Sequence, residues 1–466
     1  MGVGVSGWPL ARAVSRAGQL GVVSATCLDT VMVRRLQDGD PGGHTRRALA
    51  HFPSQDAVRE VLDRYFLPGG RAAGQPYRRV PLPGVPLQPE NERLTVMANF
   101  VEVWLAREGH GGTVGVNLLT KVQLQTLPGL YGAVLAGVHV VLMGAGIPRD
   151  VPQVLDRFAA GQAATLRLDV TGAAAPTVLT FDPASLGLEG VPLARPAFLP
   201  VVSSNVLAAM LARRGEGAVQ GFVVEGPTAG GHSAPPRGDR ALDERGEPRY
   251  GPKDEVDLQA LAALGLPFWL AGGTGSPEAL RDAWARGAAG VQVGTLFAYC
   301  EESGLRADLR DRALRGARRG ELRVRTDPHA SPTGFPFKVV MLPGTLADPD
   351  VYAARTRRCD LGYLRESYAR PDGLVGFRCP AEPVGEYTRK GGRAEDTRGR
   401  MCLCNALLAD VGLGQTQPQG PEPALLTSGD DLRSAGRWPH GQVPDSGPGQ
   451  DTSGYAALDA LRYLLD

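Results

Sequence analysis

One histidine in this chain stands where acid–base chemistry is feasible. His232 lies within the stretch GFVVEGPTAGGHSAPPRG, from Gly221 to Gly238, in which the apolar run Phe222, Val223, Val224 gives way to Glu225, Gly226, Gly230 and Gly231. Glycines let a backbone approach a flat or anionic ligand closely, and an imidazole titrates near neutrality. Such a group can take a proton from a carbon acid, or hold an anion when it is itself protonated. Two more glycine clusters follow: Gly272-Gly273-Thr274-Gly275 after Pro267–Ala271, and Gly294-Thr295 after Gly290–Val293. Their free backbone N–H groups suit a phosphate, with the Thr295 hydroxyl as one more donor. Glu225, read as an ionised carboxylate, accepts hydrogen bonds and donates none.

These residues need strands to hold them. Three strand-to-glycine transitions in this order are how a barrel of β/α units builds a phosphate site from its last loops. The pattern predicts strands at Gly21–Ser24, Thr113–Asn117, Val138–Met143, Phe198–Ser203, Gly221–Val224, Pro267–Ala271 and Ala289–Val293, with Gly2–Val5 as the remnant of a first strand. A helix is expected over Pro9–Ala17, where Leu10, Ala13, Val14 and Ala17 share a face. The first strand is short, as if the start lay upstream of Met1, and a barrel lacking most of one strand exposes two edges. Residues 28–112 are too long for one connection and form an insertion, with an amphipathic helix marked by Leu94, Met97, Val101, Trp104 and Leu105, and a Pro/Gly-rich loop over 68–90. Leu166–Val170 and Thr177–Phe181 read as an inserted hairpin, and 233–255 as a lid over the site.

At these residues the sequence resembles the nitronate monooxygenase (2-nitropropane dioxygenase-like) family of FMN-dependent TIM-barrel flavoproteins. The matching pieces are VVEGPTAGGH (223–232), PFWLAGG (267–273) and GAAGVQVGTLF (287–297), with GVNLL (115–119), GAGIP (144–148) and GWPLARAVSRAGQLGVVS (7–24). The resemblance implies an α/β fold: a TIM (β/α)8 barrel over 1–345, with insertions at about 28–112, 163–197 and 233–255, and a C-terminal α-rich extension over 346–466. It implies flavin contacts at Asn117, Glu225, Gly230, Gly231, Gly272, Gly273, Gln292, Val293, Gly294 and Thr295, and His232 as the catalytic residue. The family commonly has glutamine where this chain has Glu225. SPTGFPFK (331–338) resembles a loop near the family's pocket, which makes Ser331, Thr333 and Lys338 substrate-side candidates.

Composition sets limits. Fifty basic against forty-nine acidic residues leave a formal charge of +1, which gives no electrostatic case for nucleic acid or an anionic membrane. Gly129 to Ile147 has no charged side chain and approaches the length of a membrane span, but it breaks at Gly137 into a helix end, a turn and the strand Val138–Met143. No basic leader region precedes an apolar one at the N-terminus, so a cytoplasmic location is expected.

From 346 the barrel pattern stops. The extension holds Cys359, Cys379, Cys402 and Cys404, whose spacings miss the usual C-x2-C zinc pairs, so reduced thiols are expected and no metal is assigned. Cys27 and Cys300 read as small core residues. Residues 413–453 read as a flexible stretch, closed by a helix over Tyr455–Leu465. The favoured activity is FMN-dependent oxidation of nitronates or nitroalkanes by O2 to a carbonyl and nitrite. One alternative is FMN-dependent reduction of an enoyl thioester or quinone by NAD(P)H; another is a non-catalytic barrel with a metal-binding or interaction tail. Expected partners are a small substrate and O2 (or NAD(P)H), with a homodimer left open.

Overall fold

The computed structural model describes residues 2–213, 218–238, 241–437 and 454–466. Seven strands form one parallel sheet in chain order: β1 Gly21–Ser24, β2 Val114–Leu119, β3 Val140–Gly144, β4 Ala197–Val202, β5 Phe222–Glu225, β6 Phe268–Ala271 and β7 Gly290–Gln292. Each neighbouring pair is parallel, with Asn117 opposite Ser24, Val141 opposite Phe198 and Glu225 opposite Ala271. Strands in unbroken sequential order, each returned by a crossover, curl the sheet towards a barrel whose C-terminal strand ends share one rim. Leu142, Leu199, Val223 and Ala271 fill the inside of the curl as a small core of their own. The sequence pattern therefore places the strands to within two residues, and the predicted hairpin is present as Ala164–Leu168 paired antiparallel with Thr177–Phe181.

Gly2–Val5 is not a strand. It forms turns beside β1, where Ser24 N donates to Ser6 O at 2.8 Å and the Ser6 hydroxyl to Val22 O at 2.5 Å. No ladder joins β7 to β1 among the described residues. Two glycines (Gly2 and Gly4) and only two apolar side chains (Val3, Val5) here give little to pin a pleated edge.

The insertion between β1 and β2 folds as helices Leu28–Gln37, His44–Leu49, Gln55–Tyr65 and Pro89–Arg107. The pattern of the last predicts an amphipathic helix; it is buried nearly all round, because the other insertion helices cover the face that would otherwise meet water. The run over Gly129–Ile147 divides into the end of the helix Thr126–Leu135, a turn at Gly137 and β3. No helix among the described residues is long and apolar enough to cross a membrane.

The extension contains helices and a small sheet in which Glu366–Ala369 pairs with Val375–Arg378 and with Val170–Thr171. It shares its cores with the barrel. Leu426, Leu432, Ala457 and Leu464 pack with Leu10, Leu296 and Tyr299, while Leu361, Leu403 and Leu425 pack with Val3, Cys27 and Phe337. Part of the stretch expected to be flexible is thus packed: Leu425 and Leu426 are fully buried. The remainder of that stretch, 438–453, and His440 with it, lies outside the described residues.

Candidate active site

Two cavities meet at the C-terminal rim of the sheet. The larger, about 400 Å3, is walled by Gly272, Gly273, Gln292, Val293, Gly294 and Thr295. The smaller, about 90 Å3, holds His232, Asn117 and Phe337. Glu225, Gly230, Gly231, Gln292 and Thr427 line both, so the two share a boundary. Every residue expected to contact a flavin lies on one wall or the other.

The large cavity is shaped by backbone that tolerates no side chain. Gly272 has φ +98 and a Cβ there would lie 2.9 Å from Ala229 N, while Gly273 has φ +70. L-residues avoid this region at a cost of about 1–2 kcal/mol, so glycine is the residue that permits the turn. A Cβ on Gly230 would meet the Gly429 amide at 2.9 Å, which records how closely the segment Thr427–Asp431 lies on the glycine loop. That segment supplies walls the sequence did not advertise: Thr427, Ser428, Gly429 and Asp431 all line the large cavity. The Thr427 hydroxyl accepts from Gly231 N at 2.9 Å, and Gly429 N donates to Thr295 Oγ1 at 3.0 Å. The Thr295 hydroxyl is therefore engaged by protein, and Asp431 also bonds it. Asp431 is the one acid on this wall besides Glu225, and burial pushes its carboxyl up towards the protonated form. Its Oδ1 is buried without a hydrogen-bond partner, an atom a bound molecule could satisfy once Asp431 carries its proton. Glycine cradle, volume and orphaned polar atom together fit a phosphorylated planar cofactor.

His232 is set by the strand Phe337–Val340 and the loop before it. His232 and Phe337 form an antiparallel bridge, their rings edge to face at 4.9 Å, and Lys338 N donates to Gly231 O at 2.8 Å. Nε2 lies 2.6 Å from Ser331 Oγ, which lies 2.8 Å from Thr333 Oγ1. Burial, above all, and nearby positive charge that includes the Lys121 ammonium push the imidazole down to about 3, so the ring is neutral at physiological pH. A neutral ring offers a lone pair for a proton and no charge to anchor an anion, and so low a basicity makes it a weak base. Ser331 and Thr333 orient His232 instead of lining either cavity. Lys338 turns away: its buried Nζ holds Asp430 at 2.6 and 2.7 Å and pins the segment Thr427–Asp431 down.

Glu225 departs from its sequence reading. Burial pushes its carboxyl from 4.5 up to about 7, so near neutrality much of it is protonated and donates as well as accepts. That is the hydrogen-bonding repertoire of a glutamine. The sign of the stability effect follows. As pH rises from 4.5 towards 7, the unfolded state has lost this proton while the folded state retains it, so the side chain costs stability that grows across this window and is full above 7. Glu225→Gln has no such cost. Its melting temperature should gain on the wild type by a few °C between pH 5 and pH 8, an order-of-magnitude expectation for a protein this size. A difference that stays flat with pH would show that Glu225 is ionised throughout.

The smaller cavity also holds residues with no signal in the motifs. Cys27, expected in the core, is buried but lines this cavity together with Cys404, Tyr363 and Leu407. Cys27 (φ 60) and Ala145 (φ 56) are two of the three non-glycine residues in left-handed backbone among the described residues, and both line it. Strain of this kind concentrates at functional sites. Residues 233–255, expected as a lid, line neither cavity; the extension provides that wall. The six cysteines are free thiols, and no cluster that could hold a metal occurs among the described residues. His44 packs at a tilt against Trp8, His51 stacks on Trp104, and His139 accepts from Val114 N, all structural roles.

Residues 193–327 match the family model described as nitronate monooxygenase. No curated protein matches the chain. Among solved structures, nitroalkane oxidase from Streptomyces ansochromogenes aligns at 17% identity over 94% of this chain and 91% of that one, with a TM-score of 0.40. FabK from Thermotoga maritima aligns at 16% identity over 84% of this chain and 89% of that one, with a TM-score of 0.37. The enoyl reductase domain of MlnA from Bacillus amyloliquefaciens aligns at 11% identity over 100% and 91%, with a TM-score of 0.48.

Proposed function

We propose, from the premise that residues 193–327 belong to the nitronate monooxygenase family, that this oxidoreductase holds FMN in the larger cavity and oxidises short nitronates with O2. The products are a carbonyl compound and nitrite. The observation that carries this reading is the shared boundary: a glycine-walled space of cofactor size adjoins a small pocket containing one half-buried, neutral histidine.

When bound, FMN supplies the electron transfer between substrate and O2. The residues of the chain divide the remaining work. Gly272, Gly273, Gly294 and Thr295 would face the phosphate with backbone N–H groups, and Gln292 and Glu225 would face the ring. His232 accepts the proton from the carbon beside a nitro group, its ring held by Ser331. Leu118, Leu403 and Leu407 give the pocket an apolar wall that excludes water and accommodates a short alkyl chain. A space of about 90 Å3 favours a small substrate over a long acyl thioester.

The test begins with the colour of the purified protein. Released cofactor should be FMN and not FAD, because the glycine loops after β6 and β7 would form the phosphate cradle of a mononucleotide. Anaerobic mixing with a short nitronate should then bleach the 450 nm band, and NADPH should not. Rapid bleaching by NADPH with none by nitronate would replace this reading with the reductase one, and protein that takes up no flavin would end it.

A further inference from the structure

A third cavity, of about 300 Å3, is walled in part by Arg400, which bonds the loop that orients His232. Met401 and Cys402 line it, while the next two residues, Leu403 and Cys404, line the pocket around His232. Its other walls carry three guanidinium groups, Arg355, Arg357 and Arg400, with Tyr352.

The charge there is not balanced. Arg355 is paired with Glu422 through Nε and Nη2 at 2.7 and 3.1 Å. Arg357 spends its donors on neutral groups: Pro380 O at 3.1 Å, the Tyr352 hydroxyl at 3.0 Å and Thr397 O at 2.7 Å. Arg400 does the same, with Asp396 O at 3.0 Å, His329 O at 2.9 Å and Ser331 O at 2.5 Å. Among the described residues neither Arg357 nor Arg400 has a carboxylate within ion-pair distance, and the acids nearest in charge to Arg400, Asp396 and Asp327, do not line the cavity. Bonds to carbonyls tie loops together, and a neutral donor could make them. They do not explain why two uncompensated cations share one recess, which costs energy unless an anion joins them. Arg355 Nη1, Arg357 Nε and Arg400 Nη2 make no hydrogen bond to the described residues, so each arginine keeps a donor to spare.

We propose that this cavity binds a phosphoryl group. Planar guanidinium forks match the oxygens of a phosphate bidentately, and two net positive charges match a dianion. The group can belong to a nucleotide or to the phosphate of a thioester-carrying arm. Arg400 holds the carbonyl of Ser331, whose hydroxyl touches His232, so the site adjoins the catalytic loop.

The experiment is a calorimetric titration of the flavin-loaded protein with inorganic pyrophosphate at low salt. Loading first fills the other phosphate cradle. One saturable site with Kd on the order of 0.1–1 mM is expected. Ala353 is exposed and lines the cavity, so Ala353→Glu adds a carboxylate beside the arginines while removing no contact; it should weaken binding at least about tenfold, one such interaction being worth at least that factor. Arg357→Gln should weaken it as well, and Arg281→Gln, an exposed arginine outside the cavity, should not. Tighter binding of 2′,5′-ADP would identify a nucleotide as the source, and tighter binding of phosphopantetheine a carrier arm. Absence of saturable binding, unchanged binding in Ala353→Glu, or equal affinity for citrate overturns the assignment. Should the protein hold no flavin, the difference between wild type and Ala353→Glu still isolates this site, so the two proposals fail separately.

Discussion

His232→Asn should keep the flavin spectrum and slow turnover of a neutral nitroalkane by roughly 10²–10⁴-fold, the usual worth of a positioned base. Asparagine retains a polar side chain of similar reach but accepts no proton at neutral pH. A preformed nitronate needs no deprotonation, so its turnover should fall far less, and the depressed titration of His232 strengthens that asymmetry. A ring driven down to about 3 holds no positive charge at pH 7 with which to grip the anion. The same fact sets the pH profile. A histidine in water would lose its base form as pH falls through about 6.5; this one keeps it, so the wild-type rate with nitroalkane should not drop between pH 8 and pH 5 on account of His232. Large and equal losses for both substrates would instead make the ring an anion anchor. Small and equal losses would leave it a loop residue.

Two glycines on the same wall should behave differently. Gly272→Ala forces a Cβ into left-handed backbone and to within 2.9 Å of both the Ala229 backbone N and Thr228 Oγ1. Strain and overpacking together cost about 2–4 kcal/mol, and apoprotein stability and FMN affinity should both fall. Gly294 is the contrast: its Cβ would meet nothing within 4 Å, and its φ is not left-handed. Gly294→Leu should leave the apoprotein melting temperature nearly unchanged while reducing FMN affinity by roughly 10²-fold or more, about 3 kcal/mol of lost or obstructed contact. Fluorescence titration of refilled apoprotein measures the affinity, and calorimetry the stability. Gly294→Leu protein that binds FMN normally would move the phosphate away from this wall.

The barrel is legible because its signals are local. A run such as Phe222-Val223-Val224 followed by glycines carries both a strand and its ending, and β5 through β7 repeat that signature. Gly230, Gly231, Gly272 and Gly273 are legible for the same reason. Glu225 can be found this way but its protonation cannot, since burial is a property of the assembled fold and not of the residue. The extension is harder. Ala424-Leu425-Leu426 followed by Thr-Ser-Gly-Asp-Asp has the same apolar-to-glycine form as the barrel loops, yet it sits in a stretch rich in glycine, proline and charge that obscures it. The motif around Lys338 suggests a substrate-side group through its resemblance to a loop near the family's pocket; the partner that turns the ammonium away, Asp430, comes from distant sequence. Cys404 and Tyr363 reach the pocket only through packing of the extension on the barrel, and pairings of that kind leave no periodic trace.

The segment Thr427–Asp431 also bears on the order in which the enzyme is assembled. A ribosome delivers the seven strands and all their glycine loops well before it delivers this stretch, so the last wall of the larger cavity is also the last to be made. A flavin met during synthesis would find the glycine cradle before Gly429 can reach Thr295 and before Asp430 can reach Lys338. A flavin approaching finished apoprotein from that side would first have to open those contacts, an excursion of local unfolding with its own free energy. If the larger cavity is the flavin site, loading on that side would be coupled to chain completion, and the age of the protein would become a variable in how fast it can be charged.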